Sequence, residues 1–213
     1  MPRRASIAAA LAGAISIGIG ATLVGTAHEA VHSMSDEMDH DMSHQSAATG
    51  ISKSTVRYRV PALTLVRQDG RPVSLPAEMD DGRPVLLNFI YTTCTSICPL
   101  LSQTFEGFQR KLGRDAARVH LMSISIDPEQ DTPARLVDYA RKFHAGAEWQ
   151  HYTGTLEASI AAQRAFDVYR GDKMSHLPVT LLRASPGKPW VRIEGFVTPD
   201  DLVREYDALI GAR

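Results

Sequence analysis

The chain contains little cysteine, and the little it has is badly placed to cross-link the fold. Of 213 residues only two are cysteines, Cys94 and Cys98, four positions apart. A disulfide between them would close a loop of about five residues and stabilise the fold by only ~2 kcal/mol, because disulfides act mainly by restricting the unfolded chain. We therefore interpret the pair as a reactive site, with a structural disulfide or two inert thiols as the alternative.

The chain also lacks an excess of charge of either sign. Its 23 Lys and Arg against 24 Asp and Glu give a formal net charge of -1. There is no basic field to attract nucleic acid and no acidic tail, so neither class of partner is implied. No internal repeat is visible, and 213 residues with 44% hydrophobic content are enough for one ordinary core plus extensions.

The N-terminal segment predicts export. Residues 5–27 carry no charge, follow Met1-Pro-Arg3-Arg4, and end in Gly25-Thr26-Ala27, which has the small-x-small form of a signal-peptidase site. Residues 1–27 are thus expected to be a cleaved signal peptide for the periplasm or cell envelope. An uncleaved membrane anchor is the alternative, since about 20 residues cross a ~30 Å hydrocarbon core. In an oxidising compartment, exposed thiols persist only with a reductant or a bound metal.

Residues 28–55 lose all apolar periodicity and are predicted to be a flexible tether. Half of the eight histidines and three of the seven methionines lie between His28 and His44. Imidazole and thioether together suit copper better than calcium or magnesium. The tether is therefore a candidate for copper capture, and a plain polar linker is the alternative.

The pattern is regular over residues 56–213. Two buried strands, Val85–Tyr91 and His120–Ile126, each precede a helical pattern, and this alternation favours a parallel sheet. The other predicted strands are Val56–Val66, Pro72–Leu75, Trp149–Tyr152, Val179–Leu182 and Trp190–Ile193. The predicted helices are Pro99–Leu112, with Leu100, Leu101, Phe105, Phe108 and Leu112 on its inner side, Pro133–His144, Thr155–Phe166 and Pro199–Ile210. This order predicts an α/β thioredoxin-like fold, with a central mixed sheet flanked by helices and an N-terminal β extension.

The position of the cysteines between a strand and a helix predicts their chemistry. Free backbone N–H groups and the positive end of the helix dipole favour thiolate, which is both a nucleophile and a soft metal ligand. In helical geometry an i, i+4 pair lies on one face, so both sulfurs would point to one spot. In a thioredoxin-like sheet, Met174-Ser-His176-Leu-Pro178 begins the strand pair beside the first strand. His176 is then a candidate third ligand, and an ordinary surface or core histidine is the alternative.

Two further residues are secondary candidates. Asp127 ends the second buried strand, where it would either help to dock a partner or orient a ligand, or serve only as a turn residue before Pro128. Met174 is interpreted as a packing residue, with weak axial donation to a metal as the alternative.

Over residues 56–212 the chain resembles the SCO/SenC family of exported, thioredoxin-fold copper-binding proteins of cytochrome c oxidase assembly. The resemblance rests on His176 and on two motifs, Phe89-Ile-Tyr-Thr-Thr-Cys94-Thr-Ser-Ile-Cys98-Pro99 and Ser125-Ile-Asp127-Pro-Glu-Gln-Asp131-Thr-Pro133. It implies copper as the cofactor, with Cys94, Cys98 and His176 as its ligands. The chain departs from the family around His176, which usually follows an aspartate but here follows Ser175.

Two functions follow from these residues. The first is a copper metallochaperone, since two thiolates and an imidazole suit Cu(I), whereas structural zinc normally takes four protein ligands. The resemblance implies that the recipient is the copper-bearing subunit of cytochrome c oxidase or another copper protein. The second is a thiol-disulfide oxidoreductase that keeps the oxidase's copper-ligand cysteines reduced. A peroxiredoxin is disfavoured, because neither cysteine has the Pro-x-x-x-Thr-x-x-Cys arrangement of that family.

Overall fold

The computed structural model describes residues 50–211, which form one eight-stranded sheet with helices on both faces. The strands are β1 Ser52–Val56, β2 Thr64–Arg67, β3 Pro72–Ser74, β4 Val85–Ile90, β5 His120–Ser125, β6 Trp149–Thr153, β7 Val179–Arg183 and β8 Trp190–Glu194. The helices are α1 Leu75–Met79, α2 Ile97–Leu112, α3 Pro133–Lys142, α4 Leu156–Ala165 and α5 Pro199–Gly211. Short 3-10 helices cover Gly113–Arg118 and Lys173–Ser175.

The strand order is β1-β8-β7-β4-β5-β6-β2-β3. Strands β4, β5 and β6 pair in parallel, and β7 runs antiparallel to both β4 and β8. The predicted thioredoxin-like mixed sheet is thus confirmed. Because the carboxyl ends of β4 and β5 and the start of β7 lie at one end of the sheet, the cysteines after β4 and His176 before β7 share that end.

The two central strands are fully buried, which explains why each carries apolar residues on both faces. All six residues of β4 and all six of β5 are buried. Successive side chains point to opposite faces. Leu86 and Ile90 therefore pack in the core beneath α2, whereas Leu87 and Phe89 pack in the second core on the other face.

The predicted single strand over Val56–Val66 is wrong. The structure has two strands there: β1 pairs with β8 at one edge of the sheet, and β2 pairs with β3 and β6 at the other. Pro61 lies between them, and proline cannot donate to a strand ladder. The strand β1 begins at Ser52, within the range predicted as tether, because its pairing with β8 makes it part of the sheet.

The first long helix differs from its prediction at its start and on one face. It begins at Ile97 rather than Pro99, so the proline lies inside the first turn, where its missing N–H leaves no helical bond unmade. Leu101, Phe105 and Phe108 are buried at i, i+4 and i+7, as predicted. Leu100 is 47% exposed, because it lies about 100° around the helix from that stripe.

The predicted signal or anchor, residues 1–27, lies outside the described residues, as does most of the predicted tether. Within residues 50–211, no helix combines the length and apolar character needed to cross a membrane.

Candidate functional site

The two cysteines lie together, but not as a pair on one helix. Cys94 precedes α2 in the loop after β4, and Cys98 lies in the first turn of that helix. The loop brings them together: the N–H of Cys94 donates to the carbonyl oxygen of Tyr91 at 3.2 Å, and the N–H of Cys98 donates to Sγ of Cys94 at 3.3 Å. Both are free thiols, with Cys94 8% exposed and Cys98 fully buried. The two cysteines are in contact, but the predicted i, i+4 helical geometry is wrong, because Cys94 lies before the helix.

The two thiols differ in acidity. Partial burial acts to raise the pKa of Cys94, but hydrogen bonds from the backbone N–H groups of Cys98 and Ser96 outweigh it and lower that pKa to about 7. Burial strongly raises the pKa of Cys98, and its position beside Cys94 adds to the effect. Near neutral pH the site therefore holds one thiol that ionises readily and one that stays protonated.

A buried carboxylate, Asp131, anchors the loop that carries Cys94. Asp131 is fully buried, and its oxygens accept hydrogen bonds from Thr92 Oγ1 and Ser125 Oγ, both at 2.6 Å. The backbone N–H of Thr92 donates to the same carboxylate at 3.2 Å. These bonds tie the residue two positions before Cys94 to the end of β5. From the sequence, Asp131 was noted only as a member of the second family motif, and its spacing from Asp127 gave no sign of this role.

His176 lies at the predicted end of the sheet, and its ring is hydrogen-bonded to the backbone rather than to the dithiol. It is buried, and its Nε2–H donates to the carbonyl oxygen of Phe89 at 3.0 Å. Burial lowers its pKa, so the ring is neutral near pH 7, with its lone pair on Nδ1. Among the described residues, no group of three or more His, Cys, Asp or Glu side chains is arranged to hold a metal ion. The structure thus brings Cys94 and Cys98 together, and His176 does not complete a three-donor group with them among the described residues.

The segment before His176 is fastened at two points. Lys173 Nζ lies 2.5 Å from Asp127 Oδ2, and Tyr91 Oη donates to Met174 Sδ at 3.7 Å. Asp127 is thus more than a turn residue, since it pairs with the segment that carries His176. The packing interpretation of Met174 is wrong, because this residue is 74% exposed. Sequence reasoning missed Lys173 and Tyr91, which have no distinctive spacing.

A cavity of about 520 Å³ lies between α4 and this segment. His176, Asp127 and Lys173 line it together with Glu129 and Arg170. The cysteines are not part of its lining. His176 therefore lies at the dithiol end of the sheet and also lines a cavity to which the cysteines do not contribute.

A mixed sheet with two thiols at the junction of strand β4 and helix α2 defines a thioredoxin-like dithiol protein. The SCO1/SenC family model matches residues 53–207, which is most of the chain. The chain therefore belongs to the SCO1/SenC family, as the sequence motifs indicated.

Curated relatives agree with this assignment. The chain is 34% identical over 109 residues to the SCO1 protein homolog of Bacillus subtilis, which covers 51% of this chain and 55% of that protein. It is 35% identical over 99 residues to a putative copper-binding protein of Stutzerimonas stutzeri, covering 46% of this chain and 47% of that protein. The chain thus spans about half the length of these curated relatives.

Solved structures match over a larger part of the chain. BsSco, a Sco-family cytochrome c oxidase assembly protein described as having a disulfide switch, is 27% identical, with a TM-score of 0.63 over 76% of this chain and 99% of that one. The ScoI protein of Bradyrhizobium japonicum, solved with copper bound, is 25% identical, with a TM-score of 0.58 over 68% of this chain and 96% of that one. A SCO1/SenC lipoprotein from Bacillus anthracis shares the fold at 22% identity and a TM-score of 0.63, over 73% of this chain and 97% of that one.

Proposed function

We propose that this protein is an exported copper metallochaperone that binds copper through Cys94, Cys98 and His176. It passes the ion by ligand exchange to the dinuclear copper centre of cytochrome c oxidase. The observation that carries the proposal is the adjacency of two unlike thiols, Cys94 and Cys98, at the end of β4 in a SCO1/SenC chain. A readily ionised thiol captures a soft cation, and a protonated neighbour releases a proton when it joins.

The donors fit copper by their chemistry. Two sulfurs and one neutral imidazole match the soft ligands that Cu(I) prefers. The neutral state of His176 leaves a ring nitrogen lone pair for a metal. The copper-bound Sco structures from relatives support this choice of metal for the chain.

We assign three regions to this function. Residues 1–27 are the signal peptide or anchor that takes the chain to the periplasm or cell envelope. Residues 28–55 are the His- and Met-rich tether, which raises the local copper concentration, apart from the β1 residues that join the sheet. Residues 56–213 are the copper-binding domain. Deleting His28–His44 is then expected to lower copper loading at limiting metal, whereas unchanged loading would make the segment a plain linker.

The unequal acidity of the thiols favours a second candidate, a thiol-disulfide oxidoreductase. The Cys94 thiolate would attack a partner disulfide, forming a mixed disulfide and releasing one partner thiolate. The Cys98 sulfur would then lose its proton and displace the second partner sulfur. The products are a Cys94–Cys98 disulfide and a partner dithiol, so two electrons pass to the partner. This reaction requires neither His176 nor the tether.

One experiment separates the two functions. Cu(I) stoichiometry and affinity are measured by competition with a chromophoric chelator on the reduced full chain, on His176→Ala and on the exposed control His144→Ala. Disulfide reduction is measured on the same proteins and on Cys94→Ser. The chaperone proposal expects one tightly bound copper, weakened at least about tenfold in His176→Ala only. It fails if His176→Ala binds copper normally while Cys94→Ser abolishes disulfide reduction.

A further inference from the structure

In the resting structure His176 and the two cysteines are not gathered into one ligand set. The bond from Nε2–H to the Phe89 carbonyl oxygen leaves Nδ1 free to ligate, but no three-donor group is assembled among residues 50–211. If His176 is the third ligand, the segment that carries it has to shift. What holds this segment in place therefore controls the recruitment of the ligand.

The segment Asp172–His176 is well bonded within itself. The Asp172 carboxylate accepts a hydrogen bond from the N–H of Met174 at 2.9 Å, and the Asp172 carbonyl oxygen accepts one from Ser175 at 3.0 Å. The N–H of His176 donates to the carbonyl oxygen of Lys173 at 3.2 Å. Lys173 and His176 are thus joined by a short bonded turn, and a restraint on one is passed to the other.

Apolar packing holds this segment only weakly on its outer side. Met174 is 74% exposed and Leu177 is 47% exposed. Besides the bonds of His176 to Phe89 and of Met174 to Tyr91, the segment is joined to the rest of the protein by the ion pair of Lys173 with Asp127, whose side chain is only 7% exposed. The Lys173 ammonium also lies 5.7 Å from the ring centre of Tyr91, in the loop that leads to Cys94.

We propose that Lys173 is a positioning residue for His176: its ion pair with Asp127 holds segment 172–176 at rest, and opening the pair lets His176 reach Cys94 and Cys98. This inference rests on the proposed function, since it assumes that His176 ligates copper. The pair would set how readily the third ligand is recruited and released, which is the step that a metal carrier has to control.

The proposal predicts the direction in which copper affinity changes when the ion pair is removed. Copper binding then includes the cost of opening the pair, so a protein without the pair binds copper more tightly. A partly exposed ion pair of this kind corresponds to a gain in affinity of up to about fivefold. Lys173→Met and Asp127→Asn should each show the gain, and the double variant should gain no more than either one. If the pair persists in the copper-bound state, its removal leaves the affinity unchanged or lowers it.

The test uses the reduced full chain, with Lys188→Met as the matched control at an exposed lysine. Cu(I) affinity is measured by chelator competition. The reactivity of His176 toward diethyl pyrocarbonate is measured without metal, by peptide mass spectrometry. Lys173→Met leaves the buried carboxylate of Asp127 without its partner, which can itself disturb folding. Asp127→Asn removes the same ion pair without leaving an unpaired buried carboxylate, so it is the second test variant. We expect tighter copper binding and at least about twofold faster His176 modification in both single variants, and neither change in Lys188→Met.

The possible failures are distinguishable. If Asp127→Asn is folded by circular dichroism and shows unchanged or weaker copper binding, while His176→Ala still weakens it, the positioning role is overturned and the chaperone proposal stands. If His176→Ala itself leaves copper affinity unchanged, the proposed ligand set fails and the positioning role fails with it.

Discussion

The backbone N–H of Cys98 donates a hydrogen bond to Sγ of Cys94 over 3.3 Å. This contact makes the two thiols differ in pKa. It lowers the pKa of Cys94 by favouring the thiolate, whereas burial of the Cys98 sulfur in the core raises the pKa of Cys98. The start of α2 at Ile97 makes the contact available, since N–H groups in a first helical turn have no helical acceptor. Both metal capture and thiol exchange depend on this difference.

Alkylation of the reduced protein should reveal the difference directly. Because iodoacetamide reacts with thiolate and the pKa of Cys94 is lowered to about 7, the rate should rise with pH through a midpoint near 7. Cys98 stays protonated over this range, because its pKa is raised. Cys98→Ser should keep most of the rate at pH 7, and Cys94→Ser should lose at least about tenfold. Labelling of Cys98 before Cys94 would contradict the assignment.

Replacing Asp131 should destabilise the fold at the Cys94 loop. Asp131→Ala leaves the N–H of Thr92 and the hydroxyl of Ser125 without their acceptor, which costs about 2–4 kcal/mol of unfolding free energy. Urea denaturation measures the loss. Asp138→Ala on the exposed face of α3 is the control, and its effect should stay within about 0.5 kcal/mol. Equal losses in the two variants would show that Asp131 has no special anchoring role.

A buried histidine, His151, should make the protein acid-sensitive. Its ring is fully buried beside Gln68 and stacks on Trp149, and burial lowers its pKa to about 3. The folded state therefore favours the neutral ring, whereas the unfolded chain binds a proton below pH 6.5. The contribution of His151 to the free energy of unfolding is therefore fully present above pH 6.5 and is lost as the pH falls from 6.5 toward 3. Each pH unit in that window removes up to about 1.4 kcal/mol.

The measurement is the free energy of unfolding at pH 7 and pH 5 for the wild type, His151→Gln and the exposed control His144→Gln. His151→Gln should be less stable at pH 7 but should lose less between the two pH values. A pH dependence that matches the wild type would rule out His151 as the acid-sensitive group.

The sequence predicted the central strands of the sheet well and its outer strands poorly. β4 and β5 were predictable, because both of their faces are buried and such strands carry apolar residues on both faces. The separate pairings of β1 and β2 were not predictable, because a strand's place in the sheet depends on its partners, here β8 for β1 and β3 and β6 for β2, rather than on its own pattern.

The candidate functional site was likewise predictable only in part. Cys94 and Cys98 were identified from their local position, because the strand end and helix start that bring them together are adjacent in the sequence. The resting bond of His176 to Phe89 and the ion pair of Lys173 with Asp127 join residues 87 and 46 positions apart. Such contacts depend on how the loop between α4 and β7 folds, which no local pattern encodes.

The central claim is that copper binds to Cys94, Cys98 and His176, and copper K-edge X-ray absorption tests it most directly. The spectrum is recorded on the reduced, copper-loaded full chain, on His176→Ala and on His144→Ala. We expect two sulfur ligands and one nitrogen ligand in the wild type and in His144→Ala, and loss of the nitrogen in His176→Ala. A wild-type spectrum with sulfur ligands alone, or a nitrogen ligand that persists in His176→Ala, would contradict the proposed site.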